Sequence, residues 1–231
     1  MIISHEHKFI FVKTAKTAGT SMEIALSPFC GARDVVTRIR PRDEEVRASL
    51  GYPGPQNSYA TASEYGLRDM ARLALRGRRR ERFLNHSPLA DVRAWLDADR
   101  FGEYFKFCIE RNPWDKTLSW HRWNTRLSSG QPPLSTFVAS PMLELLRAKG
   151  LGLYTLEGEV GVDTIYRYEE LDDAVSDLQR RLNLPSKPLL PHTKVTTRAN
   201  TPHYREVLSE RDAERIAQVF AREIELLGYT F

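Results

Sequence analysis

Short β-rich apolar runs alternate along the chain with segments whose apolar residues recur at helical spacing. Residues 7–12 (HKFIFV) read as a buried strand bounded by polar residues, and 104–109 (YFKFCI) as a second. Residues 164–168 (TIYRY) give a third short strand pattern. Each runs into a predicted helix: residues 20–26, stopping at Pro28; residues 114–126; and a helix with Leu171, Val175, Leu178 and Leu182 on one face. Residues 64–76 read as a further helix, and Leu89, Val92 and Leu96 follow helical spacing after Pro88, a favoured first-turn residue. Ser209 to Asp212 (SERD) has the pattern of a capping box, opening a closing helix that carries Ile216, Phe220, Ile224 and Leu227. Two stretches lack periodicity. Residues 38–62, with Pro41, Gly51, Pro53, Gly54, Pro55 and Asn57, read as a long irregular segment, and such segments are usually functional or mobile. Residues 184–202, with prolines at 185, 188, 191 and 202, read as a loop. Strands alternating with helices, without a repeat or a linker, predict one α/β domain over residues 1–231. Its central sheet is expected to be mostly parallel, with helices on both faces.

Composition narrows this picture without changing it. A chain of 231 residues, 41% hydrophobic and 28% charged, with mean hydropathy −0.46, suits one substantial core. No apolar stretch approaches the roughly 18 residues of a membrane span. The stretch MIISHEHKFIF lacks the basic region, apolar core and cleavage site of a signal peptide, so a cytoplasmic location is the default expectation. Cys30 and Cys108 make neither a disulfide framework nor a zinc-ligand set, and no metal is expected. Cys108 lies in a strand pattern, where a buried inert thiol is the simplest reading. A net charge of +4 suits an anionic ligand but does not identify nucleic acid. The densest basic cluster, RGRRRER at 76–82, reads as an RNA or membrane patch or as the solvated end of a helix. The absence of interleaved aromatics favours the solvated helix end and speaks against a nucleic-acid partner.

The candidate chemistry sits where strand patterns give way to helices. Residues 13–21 (KTAKTAGTS) follow the first strand, and ligands of open α/β sheets bind at such carboxyl ends. Backbone N–H groups at a helix start, backed by its dipole, form an anion site. Gly19 allows close backbone approach, Thr20 and Ser21 supply hydroxyls, and Lys16 supplies a mobile positive charge. The nucleotide-loop pattern GxxxxGK[ST] is absent, and here the lysine precedes the glycine. By itself the loop is equally an ordinary capped helix start with surface lysines. Residues 109–123 (IERNPWDKTLSWHRW) repeat the arrangement, with Arg111 at the strand exit and Ser119 on the first turns of the helix. Together they would hold a second phosphate, the guanidinium as a fork and the hydroxyl as a donor. Arg111 paired with Glu110 or Asp115 is the bland alternative. Two anion sites at two strand ends imply a ligand phosphorylated at two separated positions.

KFIFVKTAKTAGTSMEIAL and YFKFCIERNPWDKTLSWHRW resemble the two nucleotide motifs of sulfotransferases that use 3′-phosphoadenosine-5′-phosphosulfate (PAPS). More narrowly the chain is similar to the carbohydrate-type branch, whose first motif commonly runs PKTAGTS and whose second runs RNPWDR…S. The likeness is dense in these blocks and looser over IYRYEEL and the closing helix region. One departure is Ala15, where the family usually has proline. The resemblance implies a P-loop-like three-layer α/β/α fold. It assigns Lys13, Lys16, Thr17, Ala18, Gly19, Thr20 and Ser21 to the 5′-phosphosulfate loop, and Arg111 and Ser119 to the 3′-phosphate. HTKVTTRANTPHY (192–204) resembles the loop that covers the nucleotide, offering Lys194, Thr197 and Arg198 as contacts.

The implied reaction is in-line sulfuryl transfer to an alcohol, with Lys16 stabilising the leaving phosphate. An alcohol needs a general base, for which histidine is suited. His86, in FLNHSPLADVRAW, resembles the histidine that starts the corresponding helix in the carbohydrate branch; His121, inside a helix between Trp120 and Trp123, is the fallback. The expected acceptor is a hydroxyl of a saccharide or glycoconjugate. Arg38, Arg40, Arg42, Tyr52 and Tyr59 in the 38–62 segment would suit an acceptor lid, or simply a mobile polar loop. Animal enzymes of this type carry a membrane anchor; none is visible, so the resemblance points to a compact bacterial-type enzyme. The competing readings are an ATP-dependent phosphotransferase, disfavoured by the missing loop pattern and magnesium motif, and a non-catalytic nucleotide- or glycan-binding module on the same fold.

Overall fold

The computed structural model describes residues 1–125, 132–185 and 202–231. Among the described residues are seven strands: β1 Ile2–Ser4, β2 Phe9–Val12, β3 Val35–Val36, β4 Phe105–Glu110, β5 Thr155–Leu156, β6 Glu159–Val160 and β7 Thr164–Arg167. Five of them build one sheet in the order β3-β1-β2-β4-β7, and β5 pairs with β6 as a separate hairpin. The pairs β2–β4 and β4–β7 are parallel, whereas β1 runs antiparallel to both neighbours. Four of the five strands therefore point the same way, as the alternating pattern predicts.

The helices are α1 Gly19–Leu26, α2 Pro41–Ser49, α3 Leu67–Arg76, α4 Leu89–Trp95, α5 Ala98–Glu103, α6 Pro113–Thr125 and α7 Leu134–Val138. They continue with α8 Met142–Ala148, α9 Leu151–Tyr154, α10 Leu171–Arg181, α11 Tyr204–Val207, α12 Glu210–Val219 and α13 Ala221–Leu227. The strand alternation sorts side chains to the two faces. Phe9, Phe11, Phe107 and Ile109 pack with Met22 and Leu26 of α1 and Leu178 of α10. Ile10, Val12 and Cys108 face the other way, against Leu89 and Val92 of α4 and Leu151 and Tyr154 of α9. A third cluster gathers Trp114, Leu118 and Trp120 of α6 with α7, α8 and α12. Helices thus cover both sheet faces, and burial of this period-2 pattern holds the layers together.

Two expectations need correction. The 38–62 segment is not irregular throughout, since it contains α2. Pro41 begins that helix instead of breaking one, because a first-turn proline gives up no needed N–H. The closing helix opens where expected, with the Ser209 hydroxyl accepting from the Asp212 N–H, but it breaks at Phe220 into α12 and α13. The cover-loop residues Lys194, Thr197 and Arg198 lie outside the described residues.

Candidate functional site

Parallel pairing of β2 with β4, with Val12 opposite Cys108, brings the two strand-to-helix loops out side by side at the carboxyl edge of the sheet. The first loop is held by its own hydroxyls. Thr14 Oγ1 donates to the Ile109 carbonyl of β4 and lies 2.8 Å from Thr17 Oγ1. Thr17 is buried, so its hydroxyl fastens the loop. Lys16 and Ala18 both adopt left-handed backbone conformations, φ 65° and 59°. Side chains disfavour that region by about 1–2 kcal/mol per residue, and such strain tends to persist where a loop is shaped for binding. Helix α1 starts immediately afterwards, and its first intrahelical bond is Met22 N–H to the Ala18 carbonyl (3.1 Å). The N–H groups of Gly19, Thr20 and Ser21 accordingly point out of the helix start, a cradle for an anion.

The resemblance left the alanine at position 15 without a reason, and the fold supplies one. Ala15 is buried, and its N–H donates to the Lys149 carbonyl at 2.8 Å. Proline has no N–H to give. Alanine here ties the loop to the end of α8, a link that a proline loop forgoes.

Lys13 points inward. Its Nζ donates to Glu23 Oε2 (2.8 Å) and Asn85 Oδ1 (2.7 Å), and the ion pair is fully buried. Burial works against ionisation of Glu23, but Lys13, the Met1 amino group 3.1 Å from Oε1 and the Thr37 hydroxyl reverse this and hold the carboxyl below its ordinary range. Gly19 makes room for this arrangement. A Cβ at position 19 would sit 2.7 Å from Lys13 Cγ, so the missing side chain serves the passage of Lys13. Lys16 is half-buried, with Nζ 5.7 Å from the centre of the Trp123 ring on α6. Arg40 covers the same indole at 4.3 Å, which places the 38–62 segment beside the loop lysine.

Arg111 links the two loops. Its Nη1 donates to the Lys16 carbonyl (3.2 Å), while Nε and Nη2 donate to Asp115 Oδ2 (2.9 and 2.6 Å). The guanidinium also lies over the Tyr168 ring at 4.4 Å. Of its five N–H donors two remain for a ligand, and Asp115 competes with any phosphate for the charge. The neighbouring Asn112, which sequence reasoning passed over, caps α6: its Oδ1 accepts from Trp114 N–H (3.1 Å) and Asp115 N–H (3.4 Å). Its place just before a proline-started helix was the available signal. Ser119 is half-buried on α6.

His86 reaches the same place from the loop before α4. Its Nδ1 lies 2.8 Å from the Lys13 carbonyl oxygen. A carbonyl only accepts, so Nδ1 carries the proton and Nε2 keeps a lone pair. Burial lowers its pKa to about 4, the carbonyl contact opposing and the Lys13 charge adding to the shift. The ring is therefore neutral near pH 7 and can take up a proton at Nε2. His121 instead binds the Pro132 carbonyl through Nε2 (2.9 Å) and packs on Phe137. A half-open cleft of about 870 Å³ lies at the opposite, amino end of the sheet, lined by His5, Arg33, Arg100, Trp95 and Tyr104. It is remote from these loops. Among the described residues no group of His, Cys, Asp and Glu could hold a metal ion, and no helix is long and apolar enough to cross a membrane. No family model, curated protein or solved structure matches this chain.

Proposed function

We propose that the chain is a PAPS-dependent sulfotransferase acting on a hydroxyl of a saccharide or glycoconjugate. The observation that carries this reading is the convergence of three groups on one loop. The left-handed loop 13–18 presents the α1 N-terminus, Arg111 holds its Lys16 carbonyl, and His86 holds its Lys13 carbonyl. An anion cradle, a second cation and a neutral base thus share one short segment. In the proposed reaction the acceptor oxygen attacks sulfur and its proton passes to His86 Nε2. The bond from sulfur to the 5′-phosphate oxygen breaks, and the electron pair stays on the phosphate. Lys16 and the α1 N–H groups balance that charge, and Arg111 and Ser119 would receive the 3′-phosphate. Arg40, beside Lys16 on Trp123, is suited to an anionic acceptor.

Transfer of labelled sulfate from PAPS to a panel of saccharides, lipids and small alcohols tests the reading. His86→Ala should abolish transfer while adenosine 3′,5′-bisphosphate still binds, and Lys16→Ala should lower the rate and weaken that binding. Calorimetric titration separates this from phosphotransfer: the bisphosphate should bind well ahead of ATP. Tighter binding of ATP, or full turnover by His86→Ala, would defeat the proposal.

A further inference from the structure

Helix α3 (LRDMARLALR) has no buried residue. Its apolar side chains are nevertheless segregated. At about 100° per residue, Leu67, Met70, Ala71, Ala74 and Leu75 share one face, with Leu73 at its margin. Arg72 and Arg76 stand on the opposite face, and Arg68 borders the apolar one beside Leu75. Leu67 is 92% exposed, Leu75 84% and Met70 53%. Packing against the described residues leaves these side chains largely open, and the segment is fastened by polar contacts near its ends. Arg80 donates to Asp69 (3.2 Å) and to the Glu64 carbonyl (2.8 Å), and Arg82 pairs with Glu64. Gly77, in the left-handed region, closes the helix.

Charge points to the occupant. Residues 67–82 contain seven arginines against Asp69 and Glu81, a net of +5, whereas the whole chain carries +4. The rest of the protein is therefore close to neutral, at −1. An open cleft of about 520 Å³ beside the helix is lined by five arginines of residues 72–80 together with Asp69, Glu81 and Leu84. Arginines suit phosphate oxygens through their forked donors. A polyanion such as RNA would engage the arginines but would leave the leucines in water. A second copy of the chain would cover the leucines while bringing like charges together.

We propose that α3 and the arginine run behind it dock the protein onto a lipid surface rich in anionic headgroups. The helix lies in the interface with Leu67, Met70, Ala71, Ala74 and Leu75 reaching about 5–10 Å into the acyl boundary. The arginines meet headgroup phosphates, and attraction between the basic segment and the surface adds to apolar burial. This is peripheral attachment by a surface helix. It does not depend on the sulfotransfer reading, although Arg82 stands only a few residues before His86 and the surface would bring lipid-borne groups near that loop.

Vesicle flotation with the full chain tests it. Vesicles of phosphatidylcholine mixed with phosphatidylglycerol should carry the protein, and pure phosphatidylcholine should carry far less. Leu67→Ser combined with Leu75→Ser should weaken binding about tenfold or more, and Arg72→Gln with Arg76→Gln should do so only on the anionic vesicles. The control Arg93→Gln, a surface residue paired with Glu157, should change nothing. An environment-sensitive dye on Leu75→Cys should shift to the blue on anionic vesicles. Native thiols leave the labelling selective, since Cys108 is buried and burial pushes the Cys30 thiol up to about 12. Absence of flotation overturns the proposal. So does binding to anionic vesicles that ignores the leucine substitutions and leaves the dye in water, or single-stranded RNA binding that outcompetes the vesicles. A concentration-dependent dimer that loses the leucine exposure and cannot bind vesicles overturns it as well.

Discussion

His86 is neutral because it is buried against Lys13, and that origin can be measured as a pH dependence of stability. In the unfolded chain the imidazole should titrate near 6.5; in the folded protein it titrates at about 4. Below pH 6.5 the unfolded state takes up a proton that the folded state refuses. The contribution is thus fully present above pH 6.5 and is lost as pH falls toward 4. A difference of about 2.5 in pKa corresponds to about 3 kcal/mol, a sizeable part of the ~5–15 kcal/mol of a typical domain. Urea unfolding between pH 4 and 7.5 should show wild type losing about this much more than His86→Gln, whose side chain does not titrate. Nitrogen chemical shifts should identify the Nδ1–H tautomer, with Nε2 unprotonated at neutral pH. Added adenosine 3′,5′-bisphosphate should raise the His86 pKa, because a nearby anion favours the imidazolium. A His86 that titrates near 6.5 in the folded protein, or parallel stability profiles for the two proteins, would refute the reasoning.

Three further substitutions probe the loop. Ala15→Pro removes the N–H bonded to the Lys149 carbonyl and should cost about 1–3 kcal/mol, read as a lower melting temperature; an unchanged midpoint would show that the contact contributes nothing. Ala18→Gly relieves a left-handed alanine and should raise stability by about 1 kcal/mol; destabilisation would mean that the loop draws no strain there. Asp115→Asn frees the Arg111 guanidinium from its carboxylate and should tighten adenosine 3′,5′-bisphosphate several-fold in calorimetry; weaker binding would show that Asp115 holds Arg111 in the productive pose.

The parts of the fold legible in the sequence are those set by period. β2, β4 and β7, with the helices behind them, follow from apolar runs that switch from strand to helical spacing. Strands of two or three residues, β1 and β3, are too short to show a period, and their pairing with β2 and with each other decides them. Helices α7, α8 and α9, each of seven residues or fewer, escaped for the same reason. α2 is hard to read because Pro41 looks like a loop residue, although it stands at the first helical turn. At the site, residue types were legible and directions were not. Nothing local says that Lys13 turns inward while Lys16 faces Trp123, because Glu23 and Asn85 decide the first and α6 the second.

Lys13 shows how such a loop keeps its shape against its own strain. Its carbonyl accepts from His86, its ammonium binds Asn85 and Glu23, and its methylenes occupy the space left by the missing Gly19 side chain. One residue therefore fastens the start of the loop, helix α1 and the histidine segment to each other. The two left-handed residues that follow need such a fixed origin, since an unanchored loop would relax to a less strained path. Truncating Lys13 would leave the buried Glu23 carboxylate with only the Met1 amino group, 3.1 Å from its Oε1, and the Thr37 hydroxyl, a loss of up to about 3–5 kcal/mol, the cost of breaking a buried pair outright. The same truncation would also free Asn85, next to His86. The Lys13 ammonium is thus bonded inside the protein, and Lys16 is the loop lysine that faces Trp123 and Arg40.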